Sequence, residues 1–293
     1  MEIRLKFTLS LFILLNAPLW AEADKLVRHA DFDSSRWHVE ASVFECRLIQ
    51  SLPRYGNIEF YHQSGEQVSL RIDTRRHDMQ AGNALLTSAP PPWRHDMPER
   101  DLGYVEIKSG RDPLSLDSRR SQLLLSELDK GMMPTLVRQA AFSDESAVVV
   151  GISPVNFQQA YTEYRNCAAE LLPVNFAQIE RSTVFWAVNQ RELSTESRQM
   201  LADMASYIKA DPAVFSLEIN GFTDSAGSGS DNLELSRTRA FAVHDYLLSQ
   251  GVDEGMLATR YFGSTPEYRI IRNERTAADR DRNRRVTILI RRR

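Results

Sequence analysis

Asp224 and Arg239 are the two side chains whose types and placement best suit chemistry in this chain. One is a carboxylate acceptor at the end of a Gly221-Phe222-Thr223-Asp224 run, the other a planar guanidinium donor. The run closes a strand read over Phe215–Asn220. A small polar loop, Ser225-Ala226-Gly227-Ser228-Gly229-Ser230, leads into a helix beginning at Asp231. At about 100° per residue, the helix face carrying Leu235, Ala240, Val243, Tyr246 and Leu247 also carries Asn232, Ser236 and Arg239. Three polar side chains therefore share an apolar face, all in its N-terminal half and nearest the Thr223-Asp224 loop. A polar group turned inward costs free energy unless it finds a partner. That partner is either internal, an Asp224–Arg239 ion pair closing the loop over the helix, or a bound ligand. Phe241 and Leu248 fall off the main apolar arc and are left for a neighbouring helix or a partner surface.

Enzyme chemistry finds little support. Ser228 and Ser230 sit in a Gly-rich loop, but there is no G-x-S-x-G elbow and no H-E-x-x-H helix among the six histidines. His244 lies roughly 140° around the helix from Arg239 and cannot serve the same site. The chain reads as a binding protein with no catalytic residues and no cofactor or metal site.

The order Thr223-Asp224, Asn232, Leu235-Ser236, Arg239-Ala240, a glycine shortly before Pro266, then Asn283-Arg284-Arg285-Val286 resembles the OmpA-like peptidoglycan-binding domain. The resemblance implies a ligand at the diaminopimelate end of the wall peptide, where an ammonium and a carboxylate share one carbon. Asp224 would accept from the first and Arg239 would donate to the second, with Thr223, Asn232 and Ser236 in support. The chain departs from the family pattern after Pro266, where Tyr268 to Arg282 replace a short acidic and glycine-containing segment; this implies an altered wall-facing loop.

The N-terminus reads as an export signal over residues 1–23: Arg4 and Lys6 lead, Phe7 to Trp20 is mostly apolar, and Ala21-Glu22-Ala23 is a cleavage site. Asn16 and Pro18 interrupt a run already short of the roughly 20 residues of a membrane span. No later run suits one, and no series of alternating strands suggests an outer-membrane barrel. The product expected is a soluble periplasmic protein. Removing Arg4 and Lys6 with Glu2 and Glu22 leaves 34 basic residues against 37 acidic. That balance gives no field for nucleic acid. Residues 24–175 hold 17 basic and 21 acidic residues, and 176–293 hold 17 and 16. Ten arginines fall between Arg269 and Arg293, and the alternation in Val286-Thr287-Ile288-Leu289-Ile290 assigns most of them to the flanks of a final strand. The only cysteines, Cys46 and Cys167, form the simplest disulfide in an oxidising compartment. No histidine pair supports metal binding instead. The bond would close a loop of about 120 residues, contributing roughly 4–5 kcal/mol.

Two domains are expected, 24–172 and 176–293, in an α+β protein. The first reads as mainly β with helices. Strands are expected over Arg36–Ala41, Ser42–Cys46, Asn57–His62 and Gln67–Ile72, the last two as a hairpin about Ser64-Gly65-Glu66. Ser88–Trp93 is a stiff proline edge. A helix within Leu116–Lys130 is stopped by Gly131, Ala147–Val150 is a buried strand, and Pro154–Leu172 is a second helix carrying Cys167. The second domain reads β-α-β-α-β-β, a helix-backed mixed sheet: strand Ser182–Trp186, helix Thr195–Lys209 with Met200, Leu201, Met204 and Ile208 inward, strand Phe215–Asn220, the site helix, strand Leu257–Phe262 and the terminal strand.

Phe44-Glu45-Cys46-Arg47-Leu48, Pro53-Arg54-Tyr55-Gly56, Pro90-Pro91-Pro92-Trp93, Leu125 to Gly131 and Asn156-Phe157-Gln158 resemble, in order, the N-terminal domain of the MotY family of flagellar-motor ring proteins. The resemblance covers nearly all of the mature chain. It implies that residues 24–172 dock on the flagellar basal body while 176–293 hold peptidoglycan and help retain stator units. It also implies a MotX-like ring component and the periplasmic part of the stator B subunit as partners. The competing reading is a general wall-anchoring protein of the OmpA type with no motor role.

Overall fold

The computed structural model describes residues 25–293 apart from 95 and 96. The export signal expected over 1–23 lies outside the described residues.

The first part of the chain runs β1 (Lys25–Arg28), β2 (Trp37–Ala41), β3 (Glu45–Leu52), β4 (Gly56–Gln63), β5 (Ser69–Thr74), β6 (Gly82–Ala89), β7 (Arg100–Ile107), β8 (Leu114–Leu116), α1 (Ser118–Asp129), β9 (Met133–Ala140), β10 (Ser143–Gly151) and α2 (Phe157–Ala169). Two five-stranded sheets result, β2-β3-β4-β5-β8 and β1-β10-β9-β6-β7. Period-two alternation turns Ile58 and Phe60 of β4 inward, and Leu86 and Val148 come in from the other sheet to the same core. Helix α1 starts at the Asp117 cap, whose carboxylate accepts from the Arg120 N–H at 2.9 Å. It packs on β5 and β9, while α2 covers β2 and β3. Cys46 of β3 and Cys167 of α2 are disulfide-bonded, with their Cα atoms 6.0 Å apart.

Two expectations here need correction. The strand expected over Ser42–Cys46 is instead β3: the Ser42 hydroxyl accepts from the N–H groups of Phe44 and Glu45 and makes a turn, and the strand then runs on from Cys46 to Leu52. The helix expected from Pro154 to Leu172 is the shorter α2, preceded by Asn156 in the left-handed region at φ 60°.

The second part runs α3 (Phe176–Ile179), β11 (Arg181–Phe185), α4 (Thr195–Ala210), β12 (Val214–Phe222), α5 (Gly229–Ser249), β13 (Leu257–Tyr261), α6 (Ala277–Asn283) and β14 (Arg285–Arg292). Its sheet has the order β11-β14-β12-β13. The β12–β13 pair is parallel; β12–β14 and β11–β14 are antiparallel. This is the mixed β-α-β-α-β-β arrangement read from the sequence, with the short α3 and α6 added. Leu201, Met204 and Ile208 of α4 enter a second core with Val243 and Leu247 of α5, while Met200 packs only partly buried against it. Gly221 of β12 lets α5 come close: a Cβ there would lie 2.4 Å from the Ser236 carbonyl oxygen.

The two cores meet at one end of the β3–β4 pair. The Leu172 N–H donates to Val43 O at 2.9 Å, and the Gly65 N–H donates to Leu172 O at 3.2 Å. The Asn175 amide donates to Ser64 O at 3.2 Å and to Glu66 at 3.1 Å, and Gln178 donates to Gly65 O at 2.9 Å. Phe44 stands edge-on to Tyr207, ring centroids 5.3 Å apart.

Candidate functional site

Strand β12 delivers Thr223 and Asp224 to the edge of the sheet, where the Ser228 hydroxyl caps α5 by accepting from the Asp231 N–H at 3.1 Å. The helix-wheel reading of α5 holds: Asn232, Ser236 and Arg239 are buried together with Ala240, Val243 and Leu247. Phe241 and Leu248, off that arc, are exposed. His244 points elsewhere and hydrogen-bonds Thr259 at 2.9 Å.

The structure divides the five expected site residues by what their polar atoms do. Asn232 and Ser236 position the site. The Asn232 amide donates to Ala226 O at 2.9 Å, tying the polar loop to the helix. Ser236 accepts from the Gly263 N–H at 2.9 Å and donates to Leu233 O at 2.8 Å. Arg239 and Thr223 have open valences. Arg239 is 0 % exposed; its Nε donates to Gln190 O at 2.9 Å and its Nη2 to Ala187 O at 3.1 Å, but Nη1 has no partner. The Thr223 hydroxyl and the indole Nε1 of Trp186 are also buried without a hydrogen bond. The Arg239 guanidinium lies 5.4 Å from the Trp186 ring centroid.

Asp224 and Arg239 do not pair with each other. The Asp224 carboxylate accepts from Arg284 at 2.6 Å and from the Ala226 N–H at 3.2 Å. Arg284 also donates to Trp186 O at 3.0 Å and reaches Asp281 at the surface. Three buried charges thus stand together, two positive and one negative. Burial, and next the positive charge of Arg284, pull the Arg239 pKa down to about 10, with Asp224 acting in the opposite sense. An anion beside Nη1 would relieve that imbalance. The guanidinium gives its Nε–H and one Nη2–H to backbone carbonyls, which leaves Nη1 wholly without a partner.

The segment after Pro266, where the sequence leaves the family pattern, forms the rim. Tyr268 packs on Phe262 and Phe222 at centroid distances of 4.5 and 6.0 Å. The Asn283 side chain accepts from the N–H groups of Ile270 and Ile271 and donates to Glu274 at 2.5 Å. Glu274 in turn accepts from the Ser225 hydroxyl at 2.6 Å and from its N–H at 3.0 Å, clasping the start of the polar loop. Burial works to raise the Glu274 pKa, but the bonds from Ser225 and Asn283 outweigh it and the net shift is downward. Arg284, Trp186 and Glu274 belong to the site but not to the set that the sequence singles out. The Asn283-Arg284-Arg285-Val286 motif was the signal that could have found the first. Among the described residues no cluster of histidine, cysteine, aspartate or glutamate is arranged to hold a metal ion.

Residues 185–284 match the OmpA family. Residues 29–173 match the MotY N-terminal domain. The chain thus joins a MotY N-terminal domain to an OmpA-family domain and is MotY-like as a whole. It is 28% identical over 260 residues to the sodium-type flagellar protein MotY of Vibrio parahaemolyticus, covering 87% of this chain and 86% of that one. It is 37% identical over 82 residues to the peptidoglycan-associated lipoprotein of Haemophilus influenzae, covering 28% of this chain and 53% of that protein. The crystal structure of the peptidoglycan-associated lipoprotein from Burkholderia pseudomallei shares 25% identity at a TM-score of 0.35, over 37% of this chain and 89% of that one.

Proposed function

We propose that this protein is a non-enzymatic periplasmic component of the flagellar motor. Residues 24–172 dock on the basal body, residues 176–293 hold peptidoglycan, and together they help retain stator units around the rotor. Likeness to MotY across most of the chain supports the motor assignment. The observation that carries the wall-binding half is the buried Arg239 Nη1 with no partner; the Thr223 hydroxyl is likewise unpartnered, and the buried Asp224 carboxylate acts electrostatically on Arg239. A diaminopimelate terminus complements this set: its carboxylate takes the free donors, and its ammonium takes an Asp224 oxygen. Arg239 is sealed from solvent, so a ligand reaches Nη1 only when neighbouring residues shift.

A MotX-like component and the periplasmic part of the stator B subunit are the partners this reading calls for. No helix of the described residues is long and apolar enough to cross a membrane. The test uses purified sacculi and soft agar. Asp224→Ala and Arg239→Ala should lose peptidoglycan pull-down while remaining folded, and a deletion strain should lose swimming. Wild-type pull-down by either folded variant removes the wall assignment. Normal swimming of the deletion strain with retained wall binding favours the general OmpA-type anchor instead. Expressed as fluorescent halves, 24–172 should gather at basal bodies and 176–293 should spread over the envelope; the reverse pattern overturns the division of roles.

A further inference from the structure

At the far end of the β3–β4 pair from the junction with the second core, the first unit carries a hollow of about 770 Å³ rimmed by Arg36, Arg54, Arg75, Arg76 and Arg111, with Asp73 as its one acidic lining residue. Arg111 bonds Asp73 at 3.3 Å and Arg76 bonds Asp78 at 3.2 Å. Arg36 donates only to its neighbour's carbonyl, Ser35 O, at 2.8 Å. Arg54 and Arg75 have no hydrogen bond or ion pair among the described residues. Arg54 also sits in the left-handed region at φ 59°, an uncommon conformation for a residue with a side chain. This concentration of positive charge lies in a unit whose own balance is 17 basic to 21 acidic residues. Tyr55 and Arg76 are shared with an adjoining hollow of about 520 Å³, whose floor includes Met79, Pro113 and Ala141. The two together form an apolar floor beside a basic rim.

We propose that this arginine hollow is the docking surface for an acidic polypeptide segment of the partner assembly, one that alternates carboxylates with apolar side chains. Three arginines without a carboxylate supply forked donors that match carboxylates, and the adjoining floor gives apolar side chains somewhere to go. A bare phosphate or a lipid headgroup would use the rim and leave the floor empty. Placement supports the same reading. Strands β3 and β4 are eight residues each and run from the junction, at Phe44 and Ser64, to the hollow, at Leu52 and Gly56. That is roughly 26 Å at 3.3 Å per residue. A partner seated there stays clear of the second unit and its wall site. The inference rests on the docking reading for the partner's being a protein.

The test uses the full mature chain. A fluorescein-labelled peptide alternating glutamate and leucine should bind it with an affinity that falls as salt is raised, and the glutamine-for-glutamate peptide should not bind. Arg36→Glu with Arg75→Glu should weaken binding by about tenfold or more. Arg54→Asn, which removes the charge but suits the left-handed backbone, should weaken it by a smaller factor. Circular dichroism and unchanged sacculus pull-down confirm that the variants are folded. Equal binding by wild type and variants overturns the proposal, as does sedimentation with phosphatidylglycerol vesicles in place of peptide binding. In cells, the fluorescent double variant should fail to reach basal bodies that wild type reaches. If both reach them alike, the hollow is not the docking surface. If wild type itself stays away, the docking reading falls, while the peptide measurement still decides the hollow.

Discussion

Glu127 in the first unit and Arg239 in the second are both charged and both buried, at 1 % and 0 % exposure, yet their surroundings differ in kind. Glu127 accepts from Ser88 at 2.6 Å, Arg100 at 2.9 Å and Lys130 at 2.9 Å. Burial alone would raise its pKa, but those donors more than compensate and the net shift is downward. Every contact the carboxylate makes is internal. Arg239 sits on two backbone carbonyls, faces a second arginine, and keeps a nitrogen with nothing to bond. A buried charge closed on itself fastens a fold, whereas one left open is suited to receive something.

The largest expected effect separates the two sites directly. Arg239→Met should remove wall binding by about 4 kcal/mol, roughly a thousandfold in affinity, because the ligand anion loses its donor. Its unfolding free energy should stay within about 1 kcal/mol of wild type, since an uncompensated buried charge gives way to an apolar chain of similar length. Urea titration beside a sacculus pull-down reads both, and a variant that binds normally but unfolds easily would reverse the comparison. Next comes the disulfide. Reduction, or Cys46→Ser, should cost the first unit about 4 kcal/mol and leave the second unit's wall affinity unchanged. Alkylation should label neither cysteine before reduction and both after. Free thiols in native protein would contradict the bond.

Glu127→Met should cost about 2 kcal/mol, mostly by orphaning the Ser88 hydroxyl, with no change in pull-down. Any loss of wall binding in that variant would break the claim that the first unit's buried charge is structural only. The smallest effect sharpens the second site. Glu274→Gln should cost about 1 kcal/mol by weakening the clasp on Ser225. Because the folded pKa of Glu274 lies below its ordinary value, this contribution is fully present above the unfolded pKa of about 4.3 and is lost as pH falls through the lowered folded value. The Tm difference between wild type and variant should therefore shrink toward zero under strongly acid conditions and stay constant from neutral pH down to about pH 5.

The half of the site carried by α5 was legible, because a 3.6-residue period with Asn232, Ser236 and Arg239 on its apolar side admits few readings. The fate of Asp224 was not. Its partner Arg284 is 60 residues away, and only the antiparallel registry of β14 on β12 and β11 brings Arg284 beside both Asp224 and Trp186. In the first unit, the expected strand Asn57–His62 falls short of β4 by one residue at each end, whereas the expected Ser42–Cys46 catches only Glu45 and Cys46 of β3, whose burial does not alternate cleanly. Strands β1, β6, β7, β8 and β9 were not identified. β7, at a sheet edge, shows charged residues and Tyr104 to solvent, and β9 carries Pro134 near its start, so neither gives the alternation that marks a half-buried strand. β1 pairs in parallel with β10, from the other end of the unit, a partnership no local pattern announces.

The position of Cys46–Cys167 has a mechanical consequence. The chain leaves the first unit through α2 and Leu172, and tension between the two units enters by that segment. Without the bond, such tension would peel α2 from the sheet one contact at a time. The bond hands the load instead to the near end of β3, whose long axis runs toward the opposite pole of the unit. Force directed along β3 meets its hydrogen bonds to β2 and β4 in shear, many at once. The disulfide thus converts a zipper that tears into a strap that bears tension between the two units.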